Sequence, residues 1–235
     1  MNLALITGAS KGIGRSTAKV FANAGWDLIL LGRDLSLMEE LKSDLSSTGR
    51  KIFIVKCDLL NSQNIKIEIP KMLNNIGCPS VLINNAGFAI NKDLMDTTID
   101  EWQKIIQVNL SSVFQMCNLI VPRMREEGGV VINVSSHAAN NAFPQWGAYC
   151  VSKAALASFT KCLREEERSN SIRACTITLG SVNTPLWDSE YVKAEFDKNS
   201  MLSSDQVAQN ILYIAEQDSS QIIEDLTLMP SSGAF

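Results

Sequence analysis

An α/β protein with a doubly wound parallel sheet and helices on both faces is the fold class this sequence predicts, on three observations. Short apolar runs alternate with amphipathic stretches of helical period along the chain. The first apolar run leads directly into a glycine-rich turn and then a helix. No repeat, low-complexity tract or linker breaks the alternation, so residues 1–235 read as one domain.

The elements follow in order. Strands are expected at 2–7, 27–32, 51–56, 80–83, 130–134, 172–178 and 225–229, each a short run of mainly β-branched and leucine residues. Helical patterns fill the intervals at 12–24, 34–48, 62–76, 100–125, 147–169 and 204–216. Right-handed crossovers then bring the carboxyl ends of the strands to one rim, where open α/β sheets bind ligands.

Two motifs at that rim carry chemistry. In Thr7-Gly8-Ala9-Ser10-Lys11-Gly12-Ile13-Gly14, the glycines permit a tight turn, and the following helix offers free amides and the positive end of its dipole to a pyrophosphate. Its spacing, G-x-x-x-G-x-G, differs from the G-x-G-x-x-G fingerprint of other dinucleotide sites. Downstream, Tyr149 and Lys153 stand at i and i+4 on one helix face. A neighbouring ammonium is expected to favour the phenolate and lower the tyrosine pKa. Taken alone, such a pair is common on amphipathic helices; the glycine turn and Ser136 upstream give it a context.

These motifs, together with Asp58 after the third strand, Asn84-Asn85-Ala86-Gly87 after the fourth and Asn109 before the fifth, resemble those of the short-chain dehydrogenase/reductase family, in family order along nearly the whole chain. The resemblance implies a Rossmann-like, seven-stranded parallel sheet of order 3-2-1-4-5-6-7. It implies a catalytic tetrad of Asn109, Ser136, Tyr149 and Lys153. Tyr149 would exchange a proton with the substrate oxygen, Ser136 would donate to the same oxygen, and Asn109 would hold a water linking Lys153 to solvent. Lys153 would also bind the nicotinamide ribose. Ser135 is the rival to Ser136, but strand alternation points it elsewhere. By the same resemblance, Asp58 lies near the adenine, Asn85 near the adenosine ribose, and Ala86 and Gly87 where the cofactor passes close to backbone. Asn84 is expected to tie strands together.

NADP(H) is the favoured cofactor, with NAD(H) left open. The second strand ends in Gly32-Arg33 instead of the acidic residue that accepts from an NAD ribose, and Arg33 can grip a 2′-phosphate. Lys11 supplies a second positive charge, as in NADP-preferring relatives. Asp34 competes for the ribose. Gly180, Val182 and Thr184 resemble the family segment that seats the nicotinamide amide, with Leu179 where relatives carry proline. The tail, Asp225 to Gly233, lacks the Asp-Gly-Gly ending of many members, which leaves the oligomer contacts of that end open.

Residues 185–202 are expected to form a lid, and Phe88, His137, Phe143, Trp146, Leu186, Trp187 and Tyr191 to line an apolar substrate pocket. The expected function is oxidoreduction of a small-molecule ketone, aldehyde or 3-oxoacyl group. Dehydrogenation of a hydroxy compound and non-catalytic NADP-responsive binding are the alternatives. A net charge of −4 argues against nucleic-acid partners, and no apolar run is expected to reach the length of a membrane span. The start of the chain reads as a strand, not a leader, so a cytoplasmic enzyme is expected. Six scattered cysteines read as reduced thiols, and one histidine leaves no metal site. Pairing of the helices at 100–125 and 147–169 into a homodimer or homotetramer completes the expectation.

Overall fold

The first strand, β1 (Leu3–Thr7), is buried along its whole length, and its side chains divide between two cores. Leu3 and Leu5 pack into the cluster holding Ile65, Ile69, Met116, Ile120 and Leu156, while Ala4 and Ile6 join the one holding Phe21, Met38, Leu41, Val207 and Ile211. A continuous apolar run, not an alternating one, is what a strand covered on both faces requires. Each fully buried leucine or isoleucine contributes about 2 kcal/mol of transfer free energy.

The computed structural model describes residues 2–192 and 197–233. After β1 come α1 (Gly12–Asn23), β2 (Asp27–Gly32), α2 (Leu35–Asp44), β3 (Ile52–Lys56), α3 (Ser62–Asn75), β4 (Val81–Asn84), α4 (Ile99–Ile106), α5 (Ser112–Met124), β5 (Gly129–Ser136), α6 (Gly147–Glu167) and β6 (Ile172–Leu179). A short pair, β7 (Val182–Asn183) and β8 (Leu202–Ser203), precedes α7 (Ser204–Ala215) and β9 (Asp225–Leu228). The main sheet is parallel throughout, with the order β3-β2-β1-β4-β5-β6-β9. This is the expected seven-strand order, its last strand numbered nine because β7 and β8 intervene. On one face α1 packs against α7, and on the other α3 packs against α5, with α6 lying on β5 and β6.

Side chains fix the helix starts. Asp34 accepts from the Leu37 amide at the head of α2, and Asn61 accepts from the Gln63 and Asn64 amides at the head of α3. Thr98 with Glu101, and Ser203 with Gln206, form reciprocal capping boxes on α4 and α7. By contrast, Lys11 before α1 makes no side-chain cap, so the first amides of that helix face the rim without one.

The single helix expected at 100–125 is divided. One turn of wider, i→i+5 bonding covers Gln107–Ser111, with Asn109 at its centre. The stretch Ile99–Met124, 26 residues holding an 18-residue window of mean hydropathy 1.3, is long and apolar enough to cross a membrane by length and composition, which corrects the expectation that no run would be. Ile105, Val113, Met116, Ile120 and Met124 along it are buried within this fold, which makes it a core helix.

Asn84 ties elements together, as expected. Its amide donates to Asn133 Oδ1 at 2.8 Å, and Asn133 in turn donates to Thr160 Oγ1 on α6 at 2.8 Å. This buried chain pins β4, β5 and α6 in register directly below the rim.

Candidate active site

At the head of α1 the backbone makes two close approaches. A Cβ on Gly14 would lie 2.3 Å from the Gly8 carbonyl oxygen and 2.6 Å from Asn85 Nδ2, so only glycine lets the helix seat against the turn. Gly8 and Gly12 hold φ of +65° and +50°, in the left-handed region that glycine adopts without strain. Beneath them, the buried Thr7 hydroxyl accepts from the Asn85 and Ala86 amides, both at 3.0 Å, and the Asn85 side chain donates to the Thr7 carbonyl at 2.9 Å. Asn85 is thus engaged in joining the ends of β1 and β4, although it still borders the cleft.

That cleft, of about 1180 Å³, runs along the carboxyl rim. It brings together Gly8, Ser10, Lys11, Gly12, Ile13, Arg33, Asp58, Asn85, Ala86 and Gly87 on one side and Ser136, Tyr149, Lys153, Gly180, Val182 and Thr184 on the other. Phe88, His137, Phe143, Trp146, Leu186, Trp187 and Tyr191 also line it. Thr7, Gly14 and Asn109 do not; they lie behind the wall and support it. Sequence reasoning missed Leu59, Leu60, Lys104, Val108, Asp188 and Glu190 as lining residues. Lys104 and Val108 share a helix face at i and i+4, a spacing that could have found them once Asn109 was placed nearby.

At the end of the cleft beside α2, Arg33 is exposed and, among the described residues, forms no ion pair. Asp34 spends one carboxylate oxygen on the Leu37 amide, 3.1 Å away. Asp58 likewise accepts from the Leu60 amide at 3.0 Å.

The tyrosine and lysine face one another from α6, with Lys153 Nζ 5.7 Å from the centroid of the Tyr149 ring. Lys153 is buried and donates to the Val134 carbonyl at 2.8 Å. Their electrostatics differ from the sequence expectation. Burial pushes the Tyr149 phenol up to about 12, while a hydrogen bond with Ser136 pulls it the other way. Burial also brings the Lys153 ammonium down to about 8. The ammonium does not dominate the phenol, because desolvation penalises both charged forms. Ser135, next to Ser136, is buried with its hydroxyl unpaired and by alternation shares a sheet face with Asn133, yet it too lines the cleft, contrary to the expectation that it would lie elsewhere.

Asn109 is fully buried. Its Oδ1 accepts from the Phe88 amide at 2.8 Å, and its Nδ2 donates to the Phe88 carbonyl at 2.8 Å and to Ser152 Oγ at 3.0 Å. A Cβ on Gly87 would lie 3.8 Å from Asn109 Oδ1 and 3.9 Å from Lys153 Nζ, so both groups border the space that the glycine leaves open.

Aromatic rings wall the far end. Trp146 stands edge-on to Tyr149 at 5.7 Å and to Trp187 at 5.9 Å, and Phe88 meets Tyr191 at 5.2 Å. His137 lies 6.1 Å from Phe143 and contacts the Asn141 amide. The segment 185–202 leaves at β7 and returns at β8, where Val182 pairs with Leu202 and closes its base. Its residues 193–196 lie outside the described part of the structure.

A doubly wound sheet with a glycine cradle at its switch point defines a Rossmann-like nucleotide-binding protein. Residues 2–194 match the family model for short chain dehydrogenase, and the chain belongs to that family. It is 30% identical over 227 residues to the 3-oxoacyl-[acyl-carrier-protein] reductase FabG of Chlamydia muridarum, covering 93% of this chain and 92% of that one. An uncharacterized oxidoreductase of Mycobacterium tuberculosis is 33% identical over 210 residues, 87% of this chain; the match spans only 61% of that protein's length. A metagenomic short-chain oxidoreductase solved in complex with NADP superposes with a TM-score of 0.86 at 25% identity, covering 98% of this chain and 97% of its own.

The depressed lysine makes a stability prediction. Because Lys153 titrates near 8 in the folded chain against an ordinary 10.5, the unfolded chain binds more protons between those values, and stability rises with pH across that window. Tyr149, raised from 10.0 to about 12, acts in the opposite sense only above pH 10. In urea unfolding at intervals from pH 7.5 to 10, the native protein should gain more stability than Lys153→Met. Parallel curves would contradict the burial of a charged Lys153.

Proposed function

We propose that this protein is an NADP(H)-dependent oxidoreductase, exchanging hydride between the nicotinamide and the carbonyl or secondary-alcohol carbon of a small substrate. The observation that carries the reading is the convergence of Ser136, Tyr149 and Lys153 on the cleft that the glycine turn opens. The residues fit such a cofactor: the cradle has no room for a side chain at Gly14, and the uncapped head of α1 turns its amides toward the site. Arg33 and Lys11 provide charge for a 2′-phosphate, while Asp34 is committed in part to its helix. The NADP in the metagenomic relative accords with this choice. When bound, the cofactor supplies or receives the hydride.

The chain supplies the proton. A phenol held near 12 carries its hydrogen at neutral pH and is loaded to donate it to a carbonyl oxygen gaining negative charge. Ser136 donates a second hydrogen bond to that oxygen, and in the oxidative direction Tyr149 accepts the proton back. Lys153 holds the nicotinamide ribose and favours the phenolate as it forms. A water beside Gly87 would connect Lys153 to Asn109, using the spare lone pair of Oδ1, since both amide protons are taken. Residues 1–235 act as one nucleotide-binding and catalytic domain, with 185–202 as a lid. The aromatic wall selects a moderately apolar ketone, aldehyde or 3-oxoacyl group; the last is the substrate class in the name of the Chlamydia relative.

Tyr149→Phe should abolish most NADPH-dependent reduction across a panel of ketones, aldehydes and 3-oxoacyl esters while leaving nucleotide affinity by fluorescence nearly intact. Undiminished turnover would remove Tyr149 as the proton donor. Tight NADPH binding by the native protein without any turnover, in either direction, would favour a nucleotide-responsive binding role.

Arg33→Ala should weaken NADPH by roughly ten- to a hundredfold, the worth of one charge-assisted phosphate contact, and NADH by much less. Equal losses would make Arg33 a structural residue.

Phe114 on α5 and Val151 on α6 are 54% and 44% exposed, and we take these helices as the faces of a symmetric homodimer or homotetramer in the cytoplasm. Light scattering should give a multiple of the chain mass, and Phe114→Glu should lower it; a monomer at micromolar concentration would exclude this assembly.

A further inference from the structure

Between Tyr149 and Lys153 lies Ser152, a residue to which neither the motifs nor the cleft assigns a part. It does not border the cleft and is fully buried on α6. Its hydroxyl donates to the Tyr149 carbonyl at 2.7 Å and accepts from Asn109 Nδ2 at 3.0 Å. Asn109 in turn grips the Phe88 backbone at both its amide and its carbonyl.

The polar groups therefore form one chain. It starts at the first turn of the catalytic helix, crosses the wide turn at 107–111, and ends on the loop 85–88 that follows β4. We propose that Ser152 is a positioning residue: through Asn109 it holds the Phe88 loop, with Gly87 and the Phe88 ring, in register with Tyr149 and Lys153.

Three features support the link over ordinary back-bonding of a helical serine to its own preceding turn. First, Asn109 has only two amide protons and spends one of them on Ser152, so without that acceptor a fully buried donor is left unmatched. Second, Asn109 stands in the one wide turn of a helix otherwise of α form, where its placement depends on neighbours more than on regular helix bonding. Third, what Asn109 grips matters to the site. A Cβ at Gly87 would stand within 4 Å of both Asn109 Oδ1 and Lys153 Nζ, and the Phe88 ring packs on Tyr191 of the segment 185–202. A shift of that loop would therefore move the cofactor wall, the relay between Asn109 and Lys153, and the substrate wall together. Misplacement of reacting groups on this scale is costly to rate while leaving nucleotide contacts largely in place.

The inference rests on the oxidoreductase reading for its kinetic consequence, but not for its structural one. Ser152→Ala should lower kcat about tenfold with the KM for NADPH nearly unchanged, the size expected when one buried hydrogen bond is lost. Ser152→Thr, which keeps the hydroxyl, should recover most of the rate. In an Asn109→Ala background the same Ser152→Ala change should cost nothing further. The Phe88 amide, followed by hydrogen exchange on the full chain, should exchange at least about tenfold faster in Ser152→Ala than in the native protein. Unchanged kcat, an equal loss in both backgrounds, or unchanged Phe88 protection would each overturn the proposal. A native protein with no turnover on any substrate would instead refute the oxidoreductase reading, and the Phe88 exchange rate would then decide the link by itself.

Discussion

The close approach of α1 to the turn after β1 is the constraint on which the rest of the site depends. With 2.3 Å between the Gly8 carbonyl and the place a Cβ would occupy at Gly14, the helix sits as near to the strand end as backbone allows. That contact aims the uncapped head of α1 along the rim. It also leaves room for Asn85 to reach the Thr7 carbonyl, which locks the carboxyl ends of β1 and β4 side by side. Gly12 is tied into the same arrangement, since a Cβ there would meet the Thr184 side chain at 3.3 Å. One packing contact thus sets the spacing of three segments that border the cleft.

Desolvation is the second organising effect. The wall that holds Lys153 out of water brings its ammonium down to about 8, and the same surroundings push the Tyr149 phenol up to about 12. Both shifts favour the neutral forms, so in this structure the tyrosine is a stored proton rather than a preformed phenolate. A simple argument from an i, i+4 cation predicts the opposite sign for the tyrosine. It fails here because the Lys153 charge is turned to the Val134 carbonyl, with its head 5.7 Å from the ring centre, while burial acts on the phenol directly.

Polar side chains inside this fold serve as rivets. The chain Asn84, Asn133, Thr160 joins two strands to α6, and the chain Tyr149, Ser152, Asn109, Phe88 joins α6 to the loop after β4. Buried amides and hydroxyls are costly unless matched, so each chain fixes one arrangement of its elements. The wide turn at Asn109 is the local departure that lets the second chain form.

By itself the sequence determined the sheet, the order of its elements and the place of the glycine turn. Apolar runs, glycine spacing and helical period are local signals, and each survives in any context that buries the sheet on both faces. It also placed Tyr149, Lys153 and Ser136 on neighbouring elements, because i, i+4 geometry and strand ends are local too. Tertiary structure decided what local rules cannot carry. The sign of the Tyr149 shift depends on how much protein surrounds the phenol. The engagement of Asn85 depends on the Thr7 carbonyl, 78 residues away in the chain and brought close by packing, and the pairing of Ser152 with Asn109, 43 residues away, likewise depends on packing. Lys104 and Glu190 reach the cleft only because α4 and the segment after β7 fold over it. Desolvation and hydrogen-bond partnership are properties of a three-dimensional neighbourhood, and no spacing along the chain encodes them.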